Sequence, residues 1–127
     1  MPKRVIIPIE EETGLDSPIA QHFGRAPYFA VIDLDDNHNV LTVKAELNRG
    51  EHAGGSGHAH EHLLTLKPNV FVTYGMGLGC LRTLQSFGVT VLKAAGATVK
   101  ETLEQFKEGK LEPLIGGCLH SHHHDQC

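Results

Sequence analysis

Val70-Phe71-Val72-Thr73-Tyr74-Gly75-Met76-Gly77-Leu78-Gly79-Cys80 changes character halfway along. Its first five residues are β-branched or aromatic, the pattern of a short buried strand. Glycines then fall at alternate positions, and the chain passes into a helix expected over residues 79–87, which Gly88 ends. Val89-Thr90-Val91-Leu92 follows as another short strand. A strand, a helical crossover and a second strand make a parallel unit, so the chain reads as α/β.

Toward the N-terminus, residues 4–9 are apolar and β-branched and form a first strand. Residues 10–27 carry Glu, Gly and Pro and read as a long loop with one helical turn around Ile19–Phe23. Tyr28 to Asp33 is a second strand, and Val40 to Glu46 a third. Between them Asp35-Asp36-Asn37-His38-Asn39 is a turn, because Asp and Asn bond their own backbone and tolerate left-handed geometry. These two strands should form an antiparallel hairpin. Asn48 to Gly57 is a glycine-rich loop, Ser56 a cap for a helix from about His58 to Leu66, and Pro68 the residue that stops it.

Residues 98–108 form an amphipathic helix with Val99, Leu103 and Phe106 on one face, closed by Gly109. The order β-β-β-α-β-α-β-α predicts a mixed five-stranded sheet with helices on both faces. Apolar periodicity stops after Pro113, so residues 1–113 read as one α/β domain and residues 114–127 as a flexible Cys/His-rich tail.

Length and charge narrow the function. A chain of 127 residues encloses a core without disulfides. Its net charge of −4 gives no reason to expect nucleic acid or an anionic membrane as partner. The apolar run that begins at Val5 and ends before Glu10-Glu11-Glu12 is too short for a leader or a membrane span, so the expected location is cytoplasmic. Three cysteines, an odd number, argue against a disulfide framework. Ten histidines stand out, and imidazole with thiolate suits zinc, copper, iron and iron–sulfur centres.

Four constellations carry that chemistry. In Gly54-Gly55-Ser56-Gly57-His58-Ala59-His60-Glu61-His62, a helix would set His58 and His62 on one face, close enough to share a metal, with His60 redirected only by a frayed turn. The positive helix N-terminus favours neutral, metal-binding imidazole and attracts an anionic cluster. A solvated polar helix start stands equally as a reading. In the second, Gly75 and Gly77 let backbone approach a ligand while Cys80 falls in the first helical turn, where thiolate is favoured; a small buried cysteine is the plainer alternative. The glycines do not match a nucleotide-binding pattern.

The third is His22-Phe23-Gly24-Arg25-Ala26-Pro27, where His22 occupies a loop in which α/β proteins place ligands and Arg25 offers a fork to an anion. A lone loop histidine is often unremarkable. The fourth is the tail. Cys118, His120, His122, His123, His124 and Cys127 do not follow zinc-finger spacing and read better as a metal-capturing arm for zinc or copper, against a polar end or a tag.

These segments, in their order, resemble the dinitrogenase iron–molybdenum cofactor-binding domain family. The matching pieces are the first strand, His22 to Val31, Asn48 with Gly54-Gly55-Ser56-Gly57, Val70 to Gly79, Gly88 to Val91, Thr98 to Leu103 and Gly109-Lys110-Leu111. The resemblance covers residues 4–111. It implies a ribonuclease-H-like three-layer fold and binding of iron–molybdenum cofactor or a related iron–sulfur precursor by a carrier or assembly accessory protein. It also implies His22 as a cluster ligand, and a protein that delivers or receives the cluster as partner. His52, His58, His60 and His62 exceed the family's usual histidine content there, and the tail lies beyond the common domain.

Catalysis is not expected. A ribonuclease-H-like nuclease needs clustered strand carboxylates, and Asp33 stands alone as a turn former. A thiol hydrolase using Cys80 lacks an orienting third group. The remaining alternative is a metal-responsive regulatory or interaction module using the same histidines and cysteines.

Overall fold

The computed structural model describes residues 3–21, 23–48 and 63–114. Six strands form one mixed sheet: β1 (Lys3–Ile9), β2 (Tyr28–Leu34), β3 (Val40–Leu47), β4 (Val70–Thr73), β5 (Thr90–Lys93) and β6 (Glu112–Pro113). Their spatial order is β3-β2-β1-β4-β5-β6. β1, β4 and β5 run parallel, whereas β2, β3 and β6 are antiparallel to their neighbours. Two helices, α1 (Leu78–Ser86) and α2 (Val99–Lys107), accompany helical residues 63–65.

Strand alternation divides the core in two. Ile6, Phe29, Val31, Phe71 and Val91 project to the side covered by Leu63 and by Leu81 and Leu84 of α1. Val5, Ile7, Ala30, Ile32, Val70 and Val72 project to the opposite side, under Val99 and Leu103 of α2. A strand buried on both faces reads as a continuous apolar run, which is why β1, β2 and β4 were recognisable. β3 is the edge, and its residues are mostly exposed.

Among the described residues the sheet has six strands rather than five. β6 adds two residues to β5 through the pairs Leu92↔Pro113 and Lys93↔Glu112. Two residues, one of them proline, carry no alternation, so neither period nor propensity marks them. Leu114 donates its N–H to the Val91 carbonyl at 3.0 Å and is only 6% exposed, so the ordered packing extends to that residue.

The long loop also differs from expectation. Its 3₁₀ turns lie at Gly14–Asp16 and Phe23–Arg25, not at 19–23. Pro18 and Ile19 instead make isolated bridges to Thr98 and Ile9. Ile19 N–H donates to Ala97 and Val99 N–H to Ser17, stitching the loop to the start of α2.

Local chemistry accounts for the ends of the elements. The Thr98 hydroxyl accepts from Glu101 N–H at 3.3 Å and the Glu101 carboxylate from Ala97 N–H at 2.7 Å, a variant of the capping box. Gly88 and Gly109 close α1 and α2 at φ +83° and +73°, conformations that cost glycine little. In the hairpin turn the Asp35 carboxylate accepts from the N–H groups of Asn37 and Asn39. The residue taking left-handed geometry is His38, at φ +66°, whose ring lies 5.0 Å from that of Phe106. Asp33 is no turn former: it accepts from the Arg4 guanidinium at 2.8 and 3.2 Å and from the Thr42 hydroxyl at 3.1 Å.

Candidate metal-cluster site

Strand directions gather the candidate segments at one end of the sheet. Ile9, Thr73 and Lys93 end the three parallel strands there, Tyr28 begins β2 opposite Ile9, and Leu47 ends β3 opposite Tyr28. The connections leaving Ile9, Leu47, Thr73 and Lys93 therefore all start from this rim. Order reverses between β1 and β4, which makes the gap between them a switch point, the usual ligand position in open α/β sheets.

Of the candidate residues, Arg25, Gly75, Gly77 and Cys80 lie among those described, and all four belong to this rim. Arg25 is exposed at the end of the second 3₁₀ turn, and Gly75 and Gly77 are buried. Cys80 is half-buried in the first turn of α1 and packs against the α1-side core. His22, Gly55, Gly57, His58, His60, His62, Cys118, His120, His122, His124 and Cys127, together with His52 and His123, lie outside the described residues. Among the described residues no group of three or more His, Cys, Asp or Glu is placed to hold a metal ion.

Buried anchors fix this rim from below. Phe23, next to position 22 in the chain, is 1% exposed and stacks with Phe29 at 6.1 Å between ring centroids. It meets Phe71 edge-on at 5.3 Å, and Phe29 meets Phe71 edge-on at 6.2 Å. Met76, between the two glycines, is fully buried in the same core. Residues 23 and 76 are thereby pinned to one hydrophobic mass, from which the glycine turn and the His22 loop emerge.

Asn48, named in the sequence only as the start of the glycine-rich loop and as a piece of the family match, organises this rim. It is buried, donates its backbone N–H to Pro27 at 3.0 Å and its Nδ2 to Ala26 at 2.8 Å and to Phe23 at 3.4 Å. It thus locks the 23–27 loop to the residue from which the glycine-rich loop departs. The signal available was a single amide at the end of a strand, directly before that loop.

The start of α1, which carries the partial positive charge of a helix N-terminus, has no side-chain cap among the described residues. Its N-cap is Gly77, at φ −64° and ψ 151°, with no side chain to bond the first turn. Leu81 N–H is taken by the Gly77 carbonyl, but Leu78 and Gly79 come too early in the helix for an intrahelical acceptor. Below the turn, the Thr73 hydroxyl donates to the Gly75 carbonyl at 3.3 Å and Ala94 N–H to the Thr73 carbonyl at 2.8 Å, tying β4 to the next rim segment. A soft thiol in the first turn of a helix is donor chemistry that fits an anionic, sulfide-bearing cluster. On the opposite side, Tyr74 donates its hydroxyl to the Gly96 carbonyl at 2.6 Å, and burial pushes that phenol above its ordinary range.

An open mixed sheet with a glycine turn and a cysteine at its switch point is an α/β arrangement of the class that places ligands at this rim. The chain belongs to the dinitrogenase iron–molybdenum cofactor family, whose model matches residues 3–109. An uncharacterized protein of Methanocaldococcus jannaschii is 22% identical over 111 residues, covering 86% of this chain and 89% of that one. The NMR structure of a Thermotoga protein described as a putative NifB protein superposes with a TM-score of 0.71 at 29% identity, covering 87% of this chain and 92% of the other. The apo form of the orange protein from Desulfovibrio gigas shares the fold at a TM-score of 0.72 and 24% identity, over 91% and 95% of the two chains. No helix among the described residues is long and apolar enough to cross a membrane.

Proposed function

We propose that this protein binds an iron–molybdenum or related iron–sulfur cluster, or a precursor of one, as a carrier or assembly accessory and without catalytic turnover. The observation that carries the reading is the placement of Cys80. The family's domain spans residues 3–109, and within it a half-buried thiol stands in an uncapped first helical turn at the switch point. The strand order, with α1 and α2 on opposite faces, supports a ribonuclease-H-like description of the scaffold.

In this proposal Cys80 is one soft ligand and His22 another, with His58, His60 and His62 as further donors. Gly75 and Gly77 keep the turn free of side chains so that cluster sulfide approaches backbone N–H, and Arg25 balances the cluster's negative charge. Exchangeable ligands at an open rim suit hand-over to a delivering or receiving protein in a reducing cytoplasm. The Cys118–Cys127 tail would act separately as a capturing arm for zinc or copper.

Anaerobic analysis of iron, molybdenum, zinc, copper and acid-labile sulfide tests this on the full chain and on a form ending at Leu114. That boundary keeps the buried Leu114 and its bond to Val91. Iron with sulfide, with or without molybdenum, in both forms is the expected result. Zinc or copper without sulfide, in the full chain only, would move metal binding to the tail and defeat the cluster assignment.

A further inference from the structure

Thr73 ends β4 with a fully buried side chain, and a buried hydroxyl needs its partner inside the protein. That partner is the Gly75 carbonyl, two residues ahead at 3.3 Å. The chain around it is held from both faces of the sheet. The Thr73 carbonyl takes Ala94 N–H at 2.8 Å, and the Tyr74 hydroxyl donates to the Gly96 carbonyl at 2.6 Å. Met76 is buried in the α1-side core. The peptide unit joining Gly75 to Met76 is strung between these anchors.

The orientation of that unit decides what the rim presents. Glycine lets the adjoining peptide plane turn over at little cost, so something else must set its direction. Here the Thr73 hydroxyl draws the Gly75 carbonyl back toward the end of the strand. The bond is trans, and in a trans peptide the C=O and N–H point opposite ways. The Met76 N–H therefore points forward, away from β4 and toward the rim. It meets no acceptor among the described residues, although Met76 is fully buried. Buried amides left without an acceptor are rare in folded proteins.

We propose that Thr73 is a positioning residue of the candidate site, whose hydroxyl holds the Gly75–Met76 peptide so that Met76 N–H is presented to sulfide of the bound cluster. The inference rests on the cluster-binding reading and adds which amide donates and what aims it. Without the hydroxyl the glycine-flanked unit is free to turn its carbonyl outward, setting partial negative charge against an anionic ligand. Leu78 and Gly79 need no such lock, because the helix itself directs their N–H groups.

Anaerobic reconstitution of the full chain with iron and sulfide tests this in Thr73→Val, Thr73→Ala and Thr73→Ser. The first two lack the hydroxyl, one at native shape and one at smaller size, whereas Ser keeps it. An N–H bonded to cluster sulfur offsets negative charge and so raises the reduction potential. Thr73→Val and Thr73→Ala should both lower that potential. They should also release iron to a ferrous chelator about tenfold faster, as expected for one charge-assisted hydrogen bond. Thr73→Ser should keep the native potential and rate. A loosened fold alone would speed release without moving the potential of the cluster still bound. Native potential in Thr73→Val and Thr73→Ala, or Thr73→Ser as low as either, would overturn the proposal and leave cluster binding intact. A native chain that takes up no iron with sulfide would defeat the cluster reading itself, and this inference with it.

Discussion

Asn48 Nδ2 lies 2.8 Å from the Ala26 carbonyl oxygen, in a side chain that is 1% exposed. Twenty-two positions separate the two residues, and the bond closes the loop that carries Phe23 and Arg25 onto the end of β3. Asn48→Ala removes the donor and leaves buried carbonyl groups short of a partner, a loss of about 1–3 kcal/mol. Asn48→Asp should cost more, since a carboxylate would face the carbonyls of Ala26 and Phe23 without water. Urea denaturation of the three proteins ranks them; Asp no worse than Ala would contradict the geometry.

Two phenylalanines should behave in opposite ways. Phe23→Ala removes the ring that touches Phe29 and Phe71 at the floor of the rim, and should cost about 3–5 kcal/mol. Phe87 ends α1 and is 68% exposed, so Phe87→Ala should change stability by no more than about 0.5 kcal/mol. Thermal unfolding of both variants separates the cases.

The Arg4 guanidinium holds the Asp33 carboxyl below its ordinary range, with the Thr42 hydroxyl assisting. A depressed acid stabilises the fold above its unfolded value, near 3.8, and that stabilisation is lost as pH falls through the depressed folded value. Both side chains are partly exposed, so the pair contributes no more than about 1 kcal/mol. Asp33→Asn should therefore be less stable than the native protein at neutral pH, with the gap narrowing below about pH 4. An equal gap at pH 7 and pH 3 would show that Asp33 acts through shape instead of charge.

Cys80→Ala should lower the iron retained per chain after anaerobic reconstitution, and Cys80→Ser should lower it less where oxygen substitutes weakly for sulfur. Melting temperature without metal should hardly move for Cys80→Ser, which preserves size at a half-buried position. Unchanged iron in both variants would remove Cys80 from the ligand set.

How far the sequence revealed this molecule depended on period and punctuation. β1, β2 and β4 were readable because burial on both faces leaves an uninterrupted apolar run, and α1 and α2 because Gly88 and Gly109 mark their ends. β6 escaped because two residues have no period. The turn expected at 19–23 failed because Pro18 and Ile19 satisfy their backbone across the molecule, at Thr98 and Ile9, which no local window contains. At the rim, residue type alone made Gly75, Gly77 and Cys80 candidates, and the strand order explains why they share one end of the sheet. Asn48 escaped as an organiser because its partners are carbonyl groups 22 and 25 positions away, and carbonyls carry no signature in a sequence.

The sheet also acts as a partition. Phe23, Leu63, Met76, Leu81 and Leu114, which border the candidate segments, share the α1 side, so under the proposed function a substitution there would disturb folding and ligand capture together. The α2 side, around Val70, Val99 and Leu103, lies behind the sheet from Met76 and Cys80. It is the half in which stability can be adjusted without retuning the rim, and so the place to look for suppressors when an engineered ligand set leaves the protein too weak to fold.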